Sequence, residues 1–425
     1  MAGRIARPCP LLHSTPEDAQ HIFGFHDLCP WDADDRALAL LRIPRPPAGI
    51  PDAGDVAEIA LWDPTAGEMR KLGETTAWNW QQGARLQWLP GATDVLIHNA
   101  CRDGRLVALR LDGRTGDAEP LPFTVYAISP DGRRALSPNF ARLHAHWRPY
   151  GYAGGAAADA DHPAPAGDGL HLLDLESGRV TLLVSLAELA AFRGDGLPMD
   201  RPHFVSHPTF SPSGRRICFF HRFFTPEGAL YTRLIAAEAD GSDLRLLAEE
   251  SCSHFDWLDD DTLIAWARKL PTGLAAARRR GWLASPLLRP AIRLARQLKP
   301  GLKQQLLGQA YLRLSVAGEA PPTPVGRGVL EEDGHPQFSA DRRWMLTDTY
   351  ADSGRQQTLI LYDMAAGTRY DIGRFHAPPA FVGDIKCDLH PRWDRANRRV
   401  CIDSAHTGSR QVHIVDAGPA LDAAD

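Results

Sequence analysis

Several absences narrow the class of this 425-residue chain before any motif is considered. Its seven cysteines, at positions 9, 29, 101, 218, 252, 387 and 401, are an odd set without a CxxC pair. That usage fits a reducing compartment better than a disulfide frame. No window approaches eighteen uninterrupted apolar residues, so no membrane-spanning helix is expected. The opening MAGRIARPCPLLHS has arginines but no long apolar core before a cleavage site, so no secretory signal is read there and a cytoplasmic location is expected. A net charge of −5 lacks the basic excess of a general nucleic-acid binder. There is no GxSxG elbow, GxxxxGK[ST] loop, HExxH helix or GxGxxG turn, which removes support for α/β-hydrolase, P-loop, zincin and Rossmann readings.

What the chain does have is one phrase written several times. Asp384 to Asp403 reads DIKCDLHPRWDRANRRVCID: His-Pro, an aromatic, a polar turn with Asp and Arg, then an alternating strand. The same grammar recurs as HPQFSADRRWMLTD from His335 and as HPTFSPSGRRICFFH from His207. The clearest copy is YAISPDGRRAL around Ile128, another surrounds Trp31, and weak ones surround Trp88 and Trp257. Each copy is followed by further apolar runs that end in Gly or Asp turns, so each is expected to be a set of antiparallel strands. Seven copies of a four-strand unit, at a basic period of roughly forty residues, predict an all-β seven-bladed β-propeller, with six or eight blades as the alternatives to that count. The expected organisation is an N-terminal tail (1–20), a single propeller (21–416) and a C-terminal tail (417–425), with insertions at about 139–168 and 270–318.

The second insertion breaks the pattern. No Asp or Glu occurs from Thr262 through Gly318, while arginines and lysines accumulate between 278 and 303 among leucines at helical spacing. A basic helical insertion in blade five is expected there. It would be either a surface for an anionic membrane or a protein partner, or a helix that packs its leucines and solvates its arginines.

In a propeller the inner strands line a central channel and their leading loops open on one face, so residues at the head of each phrase converge. That places His203, His207, His254, His335 and His390 in one expected funnel, either as working groups or as strand-heading residues that cap backbone. The stretch from Asn139 to Tyr152 adds arginines, histidines and aromatic rings just after an inner strand, and His221-Arg222 ends another. Arginine pairs with carboxylates, and aromatic rings stack on sugars. The alternative for 139–152 is a loop that plugs the channel.

The phrases YAISPDGRRAL, HPTFSPSGRRICFF and HPQFSADRRWML resemble the repeats of TolB-like propellers and, more narrowly, of the seven-bladed oligogalacturonate and ulvan lyases. The resemblance spans about Phe23 to Asp416. It implies an anionic, uronate-like saccharide as ligand and cleavage by β-elimination, which needs a cation to neutralise the sugar carboxylate and a base to take the adjacent proton. Oligogalacturonate lyases hold manganese with three histidines and a glutamine. On that pattern His390, with His335 from the preceding blade, carries over as ligand, whereas Cys387 and Arg392 depart from the expected glutamine and histidine. On ligand type alone, Cys252, His254, Cys387 and His390 form an alternative, zinc-like set. His207, Arg222, His144 and Tyr150 are therefore the candidate catalytic residues. Arg142, Arg148, His221, His335, Tyr350, Lys386 and Arg392 are the candidate saccharide contacts. The rival reading is a non-catalytic platform that uses the 278–303 segment to touch a membrane or a protein.

Overall fold

The computed structural model describes residues 3–194, 197–226, 228–268, 308–318 and 320–424. Seven antiparallel sheets are arranged as the repeat predicted. Blade one is built from Gln20–Ile22, Leu38–Ile43, Ala57–Asp63 and Glu68–Thr75, and blade two from Gln87–Trp88, Val95–Arg102, Arg105–Asp112 and Ala118–Leu121. Blade three takes Ala127–Ile128, Arg134–Pro138, Gly169–Asp174 and Val180–Ser185, and blade four His203–Phe210, Arg216–Phe224, Leu230–Glu238 and Arg245–Glu250. Blade five comprises Cys252–Asp259, Thr262–Arg268, Gln309–Ser315 and Thr323–Val325; blade six runs through Gln337–Phe338, Trp344–Asp348, Gln356–Asp363 and Thr368–His376.

Blade seven holds Arg392–Trp393, Arg399–Ser404 and Gln411–Asp416 from the C-terminal end, and its outermost strand is Leu11–Ser14 from the N-terminal end. The expected N-terminal tail is therefore a structural strap. Arg4–Ala6 also adds to blade six, parallel to Thr368–His376. The reason is the edge problem: the last blade would otherwise expose the hydrogen-bonding groups of Gln411–Asp416, and the N-terminal strand covers them. Thr15 reinforces the closure, its hydroxyl lying 2.5 Å from the Gln411 side-chain oxygen while accepting the Val412 N–H at 3.0 Å. At the other end, Gly418–Leu421 forms a short helix packed beside blade seven.

The recurring polar turn has a local cause. In blade three the Ser129 hydroxyl bonds the Asp131 carboxylate at 2.5 Å and accepts the Arg134 N–H at 3.0 Å, which closes the turn between inner and second strands. Ser339 and Asp341 repeat this arrangement in blade six at 2.6 Å, with the Trp344 N–H at 3.0 Å. Gly132 has φ +72°, and a Cβ there would stand 2.3 Å from the Pro90 carbonyl oxygen of blade two, so glycine is required both by conformation and by the neighbouring blade.

Between the turns, blade faces bury one another. Cys218, Phe220 and Leu234 of blade four pack on Phe255, Trp257 and Leu263 of blade five. Trp31, Leu38 and Trp62 of blade one pack on Cys401, Val412 and Ile414 of blade seven, which is the seam the N-terminal strap secures.

One of the two expected insertions changes its bounds. The stretch 139–168 is an insertion as expected, and it contains the helix Phe140–His146 and the turn Arg148–Tyr150. The second insertion ends earlier than expected, because Gln309–Ser315 is the third strand of blade five. The basic segment 278–303, with its expected helix and its membrane or protein contact, lies outside the described residues. Among the described residues no helix is long and apolar enough to cross a membrane.

Trp31 is fully buried in the seam between the first and last blades, with the Arg399 guanidinium 4.5 Å over its ring. Replacing it with alanine removes a large buried side chain and is expected to lower unfolding free energy by about 3–5 kcal/mol, read as a reduced denaturant midpoint at unchanged slope.

Candidate functional site

The inner ends of blades four to seven bring His207, His254, His335 and His390 around the axis, as their place in the phrase predicted. The surprise is what they surround. Phe25 stands in the channel with the rings of His26, His207, His254, His335 and His390 at centroid distances of 4.4, 5.3, 6.4, 5.8 and 4.9 Å. His203 does not join them. Its Nδ1 lies 2.8 Å from His221 Nε2 and its Nε2 lies 2.7 Å from the Pro198 carbonyl, deep under the blade-four edge. His221, proposed as a saccharide contact, is spent in that pair and fully buried.

Two of the histidines are set on strained backbone. His207 and His390 have φ of +54° and +43°, each directly before a proline. The ladder of blade four slips between Ser206 and Thr209, so the pleat is broken where Pro208 has no N–H to give and the His207 ring is turned into the channel. Conformations of this kind persist where surrounding structure holds them, and they concentrate at functional sites.

A cavity of about 350 Å³ opens on one side of this ring. Its lining includes Trp147, Tyr150, His207, Arg222, His254 and Tyr350. The first two come from the 139–168 insertion, which folds over the mouth and stacks Trp147 on Tyr150 at 3.8 Å. Arg222 is the central charge. It is 3% exposed, and its guanidinium meets the Thr232 hydroxyl at 3.1 Å, the Ser206 hydroxyl at 3.1 Å and His207 Nδ1 at 3.4 Å. Its charge also lies over the rings of Phe220 at 4.0 Å and Trp147 at 4.8 Å. Among the described residues no carboxylate pairs with it. Burial pulls its pKa down to about 10, and the neighbouring tyrosines and Cys252 offset only part of that.

The other charges of the cavity are matched. Glu250 pairs with Arg268, and Asp333 accepts from the Ser253 hydroxyl at 2.7 Å and pairs with His254 Nδ1 at 3.0 Å. Burial first, then the Arg222 charge, holds the His207 imidazole well below its usual range, so it is neutral near pH 7. Its Nε2 lies 3.2 Å from the Gln82 side-chain nitrogen.

Beside the cavity lies a group that the sequence reading did not assemble. Donor atoms of His335, Asp388 and His390 all lie within 4.8 Å of one another, and all three residues are buried. Asp348 accepts the His335 main-chain N–H at 2.8 Å and lies 2.8 Å from its Nδ1, which leaves Nε2 as the atom facing the group. Burial drives the His335 imidazole down and the Asp348 carboxyl up, so the two are held as a neutral pair. Among the described residues neither ring nitrogen of His390 makes a hydrogen bond, and its Nδ1 lies 3.8 Å from the Asp403 carboxylate. Two imidazoles and a carboxylate, one imidazole oriented from behind by an acid and the other with unspent nitrogens, fit a divalent transition metal. The zinc-like set of Cys252, His254, Cys387 and His390 does not gather: Cys252 sits in the apolar core between blades four and five, and no such group forms among the described residues. The third donor is Asp388, two residues before His390 on the segment that leads into Arg392–Trp393.

Lys386 and Tyr350 reach this mouth as expected. The Lys386 ammonium pairs with Asp388 and lies 4.5 Å from the Tyr350 ring centroid, and the Tyr350 hydroxyl is 3.4 Å from His254 Nε2. Four other proposed residues do not reach it. Arg142 is consumed by main-chain carbonyls, including those of His203 at 2.7 Å and His162 at 2.8 Å, and so braces the insertion. Arg148 points outward to Asp52 at 2.6 Å. His144 is half-buried near Arg148 and Asp52 and does not line the cavity. Arg392 points to the opposite end of the channel, where it donates to the His26 carbonyl at 3.0 Å. Residues missed by the sequence reading are Phe25, His26, Gln82, Asp333, Asp348 and Asp388. A signal existed for one pairing: the His-Pro histidine and the acid ending its second strand recur at the same spacing as His335/Asp348 and His390/Asp403.

That opposite end holds a second cavity of about 240 Å³, lined by residues that include Asp27, Arg85, Asp256, Arg342 and Arg392. Arg85 is paired bidentately with Asp27 at 2.8 and 2.9 Å. Asp256 accepts only the Trp257 N–H, at 2.8 Å, and burial pushes its pKa up to about 6.

Fold and site together define a seven-bladed propeller with a polar, partly plugged channel and a cavity toward each end. Comparison with solved structures agrees. The oligogalacturonate lyase of Vibrio parahaemolyticus superposes with a TM-score of 0.61 over 98% of this chain and 99% of its own, at 13% identity. An oligogalacturonate lyase in complex with manganese gives 0.59 over 98% of both chains at 14% identity. TolB from Acinetobacter baumannii is also similar, at 0.37 over 79% of this chain and 62% of its own and 13% identity. No family model matches the sequence, and no curated protein does. At these identities the likeness establishes the propeller fold.

The raised carboxyl of Asp256 has a signed consequence. A carboxyl whose folded pKa is raised contributes stability below its unfolded pKa, near 3.8, and that contribution is lost as pH rises through about 6. Asp256→Asn, which keeps the acceptor for the Trp257 N–H, is expected to be more stable than the parent at pH 7 by on the order of 2 kcal/mol. Chemical unfolding at pH 4 and at pH 7 should show the gap only at the higher value.

Proposed function

We propose that the channel-mouth cavity binds a short anionic, uronate-like saccharide and cleaves it by β-elimination. The observation that carries this reading is Arg222, a buried guanidinium facing the cavity without an acidic partner among the described residues. A buried cation of that kind is costly unless an anion completes it, and a planar carboxylate is the partner a guanidinium fork fits. Trp147 and Tyr150 offer ring faces for a pyranose. The similarity of fold to oligogalacturonate lyases supports the same ligand class.

In this reading Arg222 binds the sugar carboxylate and stabilises the charge that develops when the adjacent proton leaves. His207, neutral and in contact with Arg222, takes that proton. Tyr150, with its centroid 5.4 Å from that of His207, is placed to act on the leaving oxygen. His335, Asp388 and His390 are the residues that would hold a divalent metal, manganese or zinc, which when bound would supply Lewis-acid stabilisation of the same carboxylate.

Purified protein incubated with oligogalacturonates, and separately with other uronic-acid oligomers, is expected to release products that absorb in the ultraviolet through a new double bond. Absence of such products from every uronate, with no binding by calorimetry, would overturn the reading. Arg222→Met is expected to weaken saccharide binding by roughly 10- to 100-fold, the value of a charge-assisted pair. His207→Ala should lower kcat by about 100-fold or more with a smaller change in KM. The pH profile follows from the same two groups: kcat/KM is expected to be level from about pH 6.5 upward, because His207 is already deprotonated, and to fall near pH 10 as Arg222 loses its charge.

A further inference from the structure

We infer that Lys386 is a resident cation of the His335, Asp388 and His390 group, and that a divalent metal ion binds there only by displacing the Lys386 ammonium from Asp388. The inference stands apart from the saccharide reading, because it concerns metal affinity measured without any sugar.

The argument begins with Asp388. It is the sole carboxylate of the group and is 4% exposed, between two imidazoles. A carboxylate in that position needs a positive partner. Lys386 supplies it from two residues upstream, with its ammonium paired to Asp388 and also held over the Tyr350 ring at 4.5 Å.

A metal ion would need that same carboxylate together with His335 Nε2 and a nitrogen of His390. Two cations cannot share one buried carboxylate at contact distance without strong repulsion. Lysine is the kind of residue that can withdraw: its side chain is 32% exposed, whereas that of Asp388 is 5% exposed, and its stem is flexible. His390 Nδ1 lies 3.8 Å from the Asp403 carboxylate, and its Nε2, which has no hydrogen-bond partner among the described residues, is the nitrogen that an ammonium paired only with Asp388 leaves unsatisfied. A mixed nitrogen and oxygen donor set favours zinc, manganese and similar ions over magnesium or calcium, whose preference is for oxygen.

The test is calorimetric titration of chelator-stripped protein with Mn²⁺ and, separately, Zn²⁺. Lys386→Met is expected to bind at least one of these ions ten or more times as tightly as the parent. The double variant Lys386→Met, Asp388→Asn should lose that gain. Thermal unfolding offers a second readout: the same ion should raise Tm more in Lys386→Met than in the parent, since the variant begins with an unpaired Asp388. If Lys386→Met folds poorly, Lys386→Gln keeps the carboxylate hydrogen-bonded and serves in its place. Equal or weaker affinity in a folded Lys386 variant overturns the inference, as does tight binding that survives Asp388→Asn or failure of both ions to bind any variant.

Discussion

The structure depends on closing a ring of sheets. A single four-stranded blade cannot bury both of its faces, and seven in sequence would still leave two exposed faces and an open edge. The strap Leu11–Ser14 on Gln411–Asp416 removes the edge, and the packing of Trp31 and Trp62 against Val412 and Ile414 removes the last exposed face. Everything functional follows from that closure. The channel exists because seven inner strands are forced to converge, and the histidines meet because each heads one of those strands.

Convergence also creates the electrostatic problem that gives the site its character. The channel concentrates polar side chains where water is scarce, so each charge has to be matched close by. Asp27 is matched to Arg85, Asp388 to Lys386 and Glu250 to Arg268, while His335 and Asp348 share a neutral arrangement. Arg222 stands out against this background of matched charges. Its neighbours are hydroxyls, an imidazole and aromatic faces, which tolerate a cation but do not neutralise it. The same logic separates the two ends of the channel, with Phe25 and His26 between a cavity that has an unmatched cation and one that has a carboxyl pushed up by burial.

The reading of the chain succeeded where chemistry is local. The Ser-Pro-Asp-Gly-Arg phrase is a hydrogen-bonded turn whose residues act on their immediate neighbours, so copies of it mark blades wherever they occur. Histidines heading phrases had to point inward, and four of the five did. The misses share a different cause. Arg142 and His203 were placed by proximity in sequence, yet the insertion that carries Arg142 turns it onto carbonyls, and a partner histidine on the neighbouring strand captures His203. Cys252 and Cys387 had the right ligand type, but burial among apolar side chains governs the first, and Asp388, not Cys387, stands beside His390.

By itself, then, the sequence pointed to seven blades and to four of the channel histidines, because repeat spacing, alternation and turn chemistry act over a few residues. Only the tertiary structure decided which charges are matched. Pairings such as Arg85 with Asp27 or His254 with Asp333 join residues from different blades, and the N-terminal strap joins opposite ends of the chain. Those choices are made by distance and burial once the ring has closed, and no local pattern in the chain encodes them.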